Sequence, residues 1–209
     1  MTQASESVRL IATVDAVWSA IRAAHPDVPA VLLMTAPSCG DRRAIGHFWP
    51  MKWQHRTEGD LHEVILFAEY LNRTPAEVFG TLLHEAVHAC NFVRKVKDCS
   101  ASQYHNAEFR KTAHELGLKV KQMAPYGWAL TELTEETEKR WAEQIEQLGK
   151  GIQVFRRTTS HGRSVGVQTP KTRNLRASCA CGFLIRVSKA TIERTEIKCG
   201  SCGSPFAVG

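Results

Sequence analysis

The stretch Asn72-Arg73-Thr74-Pro75-Ala76-Glu77-Val78-Phe79-Gly80-Thr81-Leu82-Leu83-His84-Glu85-Ala86-Val87-His88-Ala89 decides how this chain of 209 residues is read. It begins as a helix should. Thr74 is suited to cap the first free N–H groups, Pro75 to the first helical position, and Glu77 to reach back to the cap. Val78, Phe79, Leu82, Leu83, Ala86 and Val87 recur at helical spacing, so the helix is expected to run to about Val93. On such a helix His84 and His88, four residues apart, share one face and can reach one metal ion. Glu85 lies beside them, placed to take a proton from a water that the metal activates.

A catalytic zinc keeps three protein ligands and an open position. The pattern H-E-x-x-H-x-x-G-x-x-H is not met, because Phe92 and Lys95 stand where its Gly and last His belong. Spacing leaves His105, Glu108, His114 and Glu115 as candidates for the third ligand. His47, His55 and His62 have no spacing that ties them to the pair. Asn91 to Gln103 gives the chain room to turn back towards the metal.

The segment Thr81 to Ala89, followed by His105-Asn106-Ala107-Glu108-Phe109, resembles the SprT-like zinc metalloproteases, which include the Spartan proteases. The resemblance implies a zincin-like domain of class α+β: a small sheet with the H-E-x-x-H helix pair packed on it. It implies His105 as the third zinc ligand, in the place of a His-Gly-x-x-Phe segment, with Glu108 as the alternative. Asn106 replaces that Gly, and Asn tolerates left-handed backbone better than most residues. Tyr104, beside a ligand, is a candidate to stabilise an oxyanion, or simply a core tyrosine.

A second constellation lies near the C-terminus. Cys179-Ala-Cys181 and Cys199-Gly-Ser-Cys202 read as a zinc ribbon. Gly182, Gly200 and Gly203 allow the tight turns that aim two thiolates at one ion. Four thiolates close a tetrahedron, so this zinc is structural. Two disulfides are the alternative, disfavoured in a reducing compartment. A domain this small rarely buries enough surface to fold without such help. SprT-like proteins often carry a similar ribbon, so the resemblance covers about 45–125 and 177–209.

Elsewhere the pattern is coarser. Val14 to Ala24 reads as an amphipathic helix, Ala30 to Thr35, Ile45 to Trp49 and His62 to Phe67 as strands, and Asn106 to Leu116 as a helix. Leu130 to Leu148 reads as one long helix, and Ile152 to Phe155 as a strand. The expected organisation is a catalytic domain at 1–148, a basic linker at 149–176 and the ribbon at 177–209. Charge divides along the same line. Residues 1–148 hold 16 Lys/Arg against 19 Asp/Glu, and residues 149–209 hold 11 against 2. A basic end on an acidic body suggests a polyanion, and Arg156, Arg157, Arg163, Lys171, Arg173 and Arg176 are the residues expected to meet DNA phosphates. No apolar run approaches the roughly 18 residues of a membrane span, and Met1 to Leu10 lacks the features of a secretory leader. The expected setting is therefore the cytoplasm, at the nucleoid if DNA is the partner.

The function expected from these residues is zinc-dependent hydrolysis, and the resemblance implies that proteins are what is cleaved. The resemblance implies DNA-associated or DNA-crosslinked proteins as substrates. A DNA-binding module with a degenerate zinc site, and a zinc hydrolase of small amides or peptides, are the competing classes. An intact Glu85 argues against the first of these.

Overall fold

The computed structural model describes residues 5–38, 44–157 and 175–208. The chain forms two compact units, Met1–Thr158 and Thr159–Gly209. Both mix helices with small sheets, so the class is α+β.

The first unit is built around α2 (Pro75–Val93). Its start obeys the sequence rule in full: the Thr74 hydroxyl accepts from the Glu77 N–H, and the Glu77 carboxylate accepts from the Thr74 N–H at 2.9 Å. Phe79, Leu82, Leu83, Ala86, Val87 and Cys90 of this helix are fully buried. Each large apolar side chain so placed contributes about 1.5–3 kcal/mol. Because α2 is enclosed on most sides, polar groups on it are fixed by their surroundings rather than by water.

Helix α1 (Glu6–Ala24) packs Val14, Val17, Trp18 and Ile21 into the same core. It begins eight residues before the hydrophobic periodicity suggests, because Ser5 caps it by accepting from the Val8 N–H. The strands β1 (Val31–Ala36), β2 (Gly46–His55) and β3 (Gly59–Phe67) form a sheet in the order β1-β3-β2. β3 runs parallel to β1 and antiparallel to β2. Leu33, Val64 and Leu66 of this sheet are buried in the core, and Phe48 packs against it. The strand expected over Ile45 to Trp49 runs on past Pro50, which it absorbs in a bulge between Trp49 and Trp53, where pairing with β3 slips.

Two sequence expectations fail beyond α3 (Ala107–Glu115). Leu130 to Leu148 is not one helix. Its first residues close a hairpin of β4 (Leu118–Met123) and β5 (Gly127–Leu133). Thr134 then caps α4 (Glu135–Arg140), and α5 (Ala142–Gly151) follows. Gly-Trp-Ala-Leu-Thr-Glu-Leu carries no regular apolar/polar alternation, and it is its pairing with β4 that makes it a strand. Ile152 to Phe155 is not a strand either. Ile152 ends α5, and Arg156 is tied down by its backbone to Ala68 and by its guanidinium to the buried Glu69 carboxylate.

In the second unit β6 (Leu175–Ser178), β7 (Leu184–Val187) and β8 (Ala207–Val208) form a sheet in the order β7-β6-β8. Between them lies the short helix α6 (Lys189–Arg194), capped by Ser188. Glu196 to Lys198 contributes only a single bridge, from Lys198 to Pro205. No helix among the described residues is long and apolar enough to cross a membrane.

Candidate metal centre

His84 and His88 leave one face of α2, as their spacing requires. The chain then turns back at Lys95 (φ 58°) and Gln103 (φ 65°), positions of left-handed backbone. This return brings His105 to the pair. The His105 N–H donates to the Tyr126 carbonyl at 2.9 Å, and the His105 carbonyl accepts from the Trp128 N–H at 3.0 Å. Gly127 makes that clasp possible. It sits at φ 67°, and a β-carbon there would collide with the His105 carbonyl.

One ring nitrogen from each of His84, His88 and His105 lies within 4.8 Å of the others. The Nε2 atoms of His88 and His105 are 3.2 Å apart. Two ligands on a tetrahedral ion with arms of 2.0–2.1 Å are separated by about 3.3 Å, so the pair is spaced to share a metal. The other ring nitrogens are all engaged. Nδ1 of His84 meets Thr131 Oγ1 at 3.0 Å, Nδ1 of His88 meets Asp98 Oδ2 at 2.8 Å, and Nδ1 of His105 faces the Tyr126 carbonyl at 3.3 Å. Each ring is thereby oriented with its Nε2 free for a ligand role. Phe109 lies against all three rings, with centroid distances of 4.5–4.8 Å.

The alternatives for the third position go elsewhere. Glu108 is exposed, Nδ1 of His114 bonds the Leu118 carbonyl, and Glu115 pairs with Arg94. Asn106 does not need the left-handed conformation allowed for it. At φ −92° and ψ −169° it is extended, and its side chain caps α3 by accepting from the Glu108 and Phe109 N–H groups. Asn suits this site as a cap rather than as a substitute for Gly.

Electrostatics follow from enclosure. Burial drives the His84 pKa well below its ordinary value and pushes His105 down to about 4, with neighbouring imidazoles adding to both. Burial works against a charge on His88 too, but the bond to Asp98 and the nearby Glu85 outweigh it and raise its pKa. Burial likewise opposes charge on Asp98, yet His88 and Asn91 hold it below the usual carboxylate range. Asn91 donates to Asp98 at 3.1 Å and accepts from Thr112 at 2.7 Å, so this carboxylate is fixed from behind. The neutral imidazoles of His84 and His105, with an ionised carboxylate behind His88, suit divalent-cation binding, which would displace the proton that Asp98 favours on His88.

Glu85 is 4% exposed. Burial raises its carboxyl to about 7, opposed by His88 and by a hydrogen bond from the Phe48 N–H on β2. Gly46 lets β2 come this close, since a β-carbon at that position would stand 2.8 Å from Glu85 Oε1. A cation held by the histidines would favour the ionised form.

The second unit gathers the sulfurs of Cys179, Cys181, Cys199 and Cys202 within 4.8 Å of one another. None is in a disulfide. The Cys181–Cys199 separation of 3.7 Å matches the edge of about 3.8 Å for a tetrahedron with 2.3 Å metal–sulfur arms. Backbone N–H groups of Cys202 and Ser201 lower the Cys199 pKa, and Ser204 brings that of Cys202 down to about 6. These two shifts favour thiolates, whereas the Cys179 and Cys202 sulfurs push the Cys181 thiol up to about 12.

Of the residues expected to meet DNA, Arg163, Lys171 and Arg173 lie outside the described residues. Arg156 is engaged by Glu69, Arg157 is exposed, and Arg176 is exposed on β6 opposite Arg186 of β7. Comparison with protein-family models, with curated proteins and with solved structures finds no match to this chain.

Sequence reasoning missed Asp98, Thr131 and the Phe48 N–H. Asp98 had a detectable signal, an acid in the loop between two ligand segments. Thr131 had none once its strand was read as helix. Asp98→Asn is expected to keep the fold and weaken metal at the histidine site by about 10–100-fold. Competition with a chromophoric chelator measures this, and unchanged affinity would show that Asp98 does not support His88.

Proposed function

We propose that this chain is a SprT-like zinc peptidase with a zincin-like catalytic unit and a structural zinc ribbon. The observation that carries it is the buried Glu85 carboxylate beside three converged imidazoles, a combination that a purely structural site does not require. His84, His88 and His105 would hold the catalytic zinc, and the four cysteines the structural one. Zinc at the histidine site supplies Lewis acidity, polarising a peptide carbonyl and acidifying water. Asp98, Thr131 and the Tyr126 carbonyl orient the imidazoles. Glu85, steadied by the Phe48 N–H, accepts the proton of the attacking water and delivers it to the leaving amine.

The substrates proposed are proteins held on DNA. The basic second unit supports this. Arg176 and Arg186 stand opposite each other across β6 and β7, both exposed. Like charges so placed repel, and a phosphate would relieve them. The test is cleavage of a DNA-binding protein by the zinc-loaded chain, with and without single-stranded DNA. The expected result is cleavage stimulated by DNA, with the stimulation falling steeply as salt rises. No cleavage in either condition would overturn the peptidase reading, and a stimulation insensitive to salt would overturn the phosphate contact.

A further inference from the structure

The sheet of the first unit has a second face. Residues paired across strands project to the same side, so Leu32, Glu63 and Trp49 form one row across β1, β3 and β2. This row points away from the core, into which the alternate residues Leu33 and Val64 are buried. Trp53 pairs with Leu61, two residues from Glu63, and falls on the same side. Leu32, Trp49 and Trp53 are 38%, 47% and 40% exposed.

The bulge in β2 composes this face. Met51 adopts φ 50°, an uncommon conformation for a side chain of its size, and its N–H is satisfied by His62 Nδ1 at 3.1 Å. Strict alternation would send Trp49 and Lys52 to opposite sides. The bulge instead lays the Lys52 ammonium over the Trp49 ring, 3.9 Å from its centroid, while His47 meets the same ring edge-on at 5.0 Å. Glu63, the carboxylate of this row, is buried beneath the rings and accepts from the Trp53 indole N–H at 2.5 Å, which fixes the Trp53 ring on this face.

We propose that Trp49, Lys52 and Trp53 form a binding face for single-stranded nucleic acid on the catalytic unit itself, stacking bases on the two indoles and setting a phosphate against Lys52. This goes beyond the basic ribbon as the DNA contact and does not depend on the hydrolytic reading. The occupant follows from the chemistry of the face. Flat π surfaces beside a cation suit bases and phosphates, whereas an aliphatic partner would leave Lys52 to be desolvated.

Tryptophan emission tests it in the full chain. All five tryptophans (18, 49, 53, 128 and 141) lie in the first unit, and Trp18 and Trp141 are buried. Quenching therefore reports DNA against tryptophans of the first unit, and its loss in a Trp49→Ala/Trp53→Ala double variant assigns it to Trp49 and Trp53 rather than to the partly buried Trp128. The zinc-loaded chain is titrated with a dT oligomer of about 16 nucleotides, reading intrinsic emission and, with a labelled oligomer, anisotropy. The expected result is quenching that Trp49→Ala/Trp53→Ala abolishes, with affinity lowered about tenfold or more. Lys52→Glu, which leaves both rings in place, is expected to weaken binding several-fold and serves if the double variant fails to fold. Rising anisotropy without quenching would place the DNA elsewhere and overturn the proposal. So would absence of binding, or a concentration-dependent dimer in sedimentation that masks the face. Cleavage without DNA, measured alongside, separates failure of this face from failure of the peptidase reading.

Discussion

Glu85→Gln is expected to retain zinc at the histidine site and lose turnover by about 10²–10⁴-fold, the usual worth of a positioned general base. Glutamine has the same shape. Its carbonyl oxygen can still accept from the Phe48 N–H, and it fits the space that Gly46 leaves. What it lacks is the capacity to take a proton. The three imidazoles and their supports at Thr131, Asp98 and Tyr126 are untouched, so metal content measured by mass spectrometry should match the wild type. Full activity in a zinc-loaded variant would remove Glu85 from the mechanism. Stability gives an independent reading. The carboxyl, near 4.5 when unfolded, is raised to about 7 in the folded, metal-free chain, with burial as the main cause. A raised acid destabilises the fold by nothing below the lower value, increasingly between the two, and fully above the higher. Chelator-treated Glu85→Gln should therefore melt above chelator-treated wild type at pH 8, with a smaller difference at pH 5. Equal melting curves at both would mean that Glu85 is better solvated than its burial indicates.

The parts legible in the sequence are those determined locally. Thr74, Pro75 and Glu77 specify a helix start by their own bonds, and the four-residue spacing of His84 and His88 survives any packing of that helix. Four cysteines in two tight turns are equally self-contained. What was illegible depends on distant chain. Thr131 reaches His84 from 47 residues away, on a strand that only its pairing with β4 reveals. The extension of the second strand past Pro50 was equally illegible, because proline is tolerated within a strand at a bulge and only the register with β3 reveals the bulge. Arg156 looked like a free phosphate ligand until Glu69, 87 residues earlier, claimed it. Local rules thus found the residues of the two candidate metal clusters. They missed the groups that aim them, because those are supplied by tertiary pairing.

Removal of metal is expected to unfold the second unit while leaving the first folded. Among the described residues of that unit, Ala177, Val187, Cys179 and Cys199 are the buried side chains of apolar type, and two of these four are metal-ligand candidates. At about 25 cal/mol per Å² of buried apolar surface, so small a core cannot offset ordering entropy of about 1–2 kcal/mol per residue. The binding energy of an ion held by four thiolates, about 10–16 kcal/mol in small zinc domains, is the remaining source. The first unit differs, since its core joins α1, α2, α3, α5 and the sheet without reference to the histidines. Hydrogen exchange reads the two separately. In excess chelator at neutral pH, amides of Leu175–Ser178 and Leu184–Val187 should lose protection, while those of α2 keep theirs. Cys199→Ser should behave the same way in the presence of zinc, because three thiolates and a hydroxyl bind the ion more weakly. Acidification should also release the metal as protons compete for the thiolates. Retained protection of β6 and β7 in metal-free protein would mean that the ribbon is held by packing, and the cysteine cluster would then need a role other than structural.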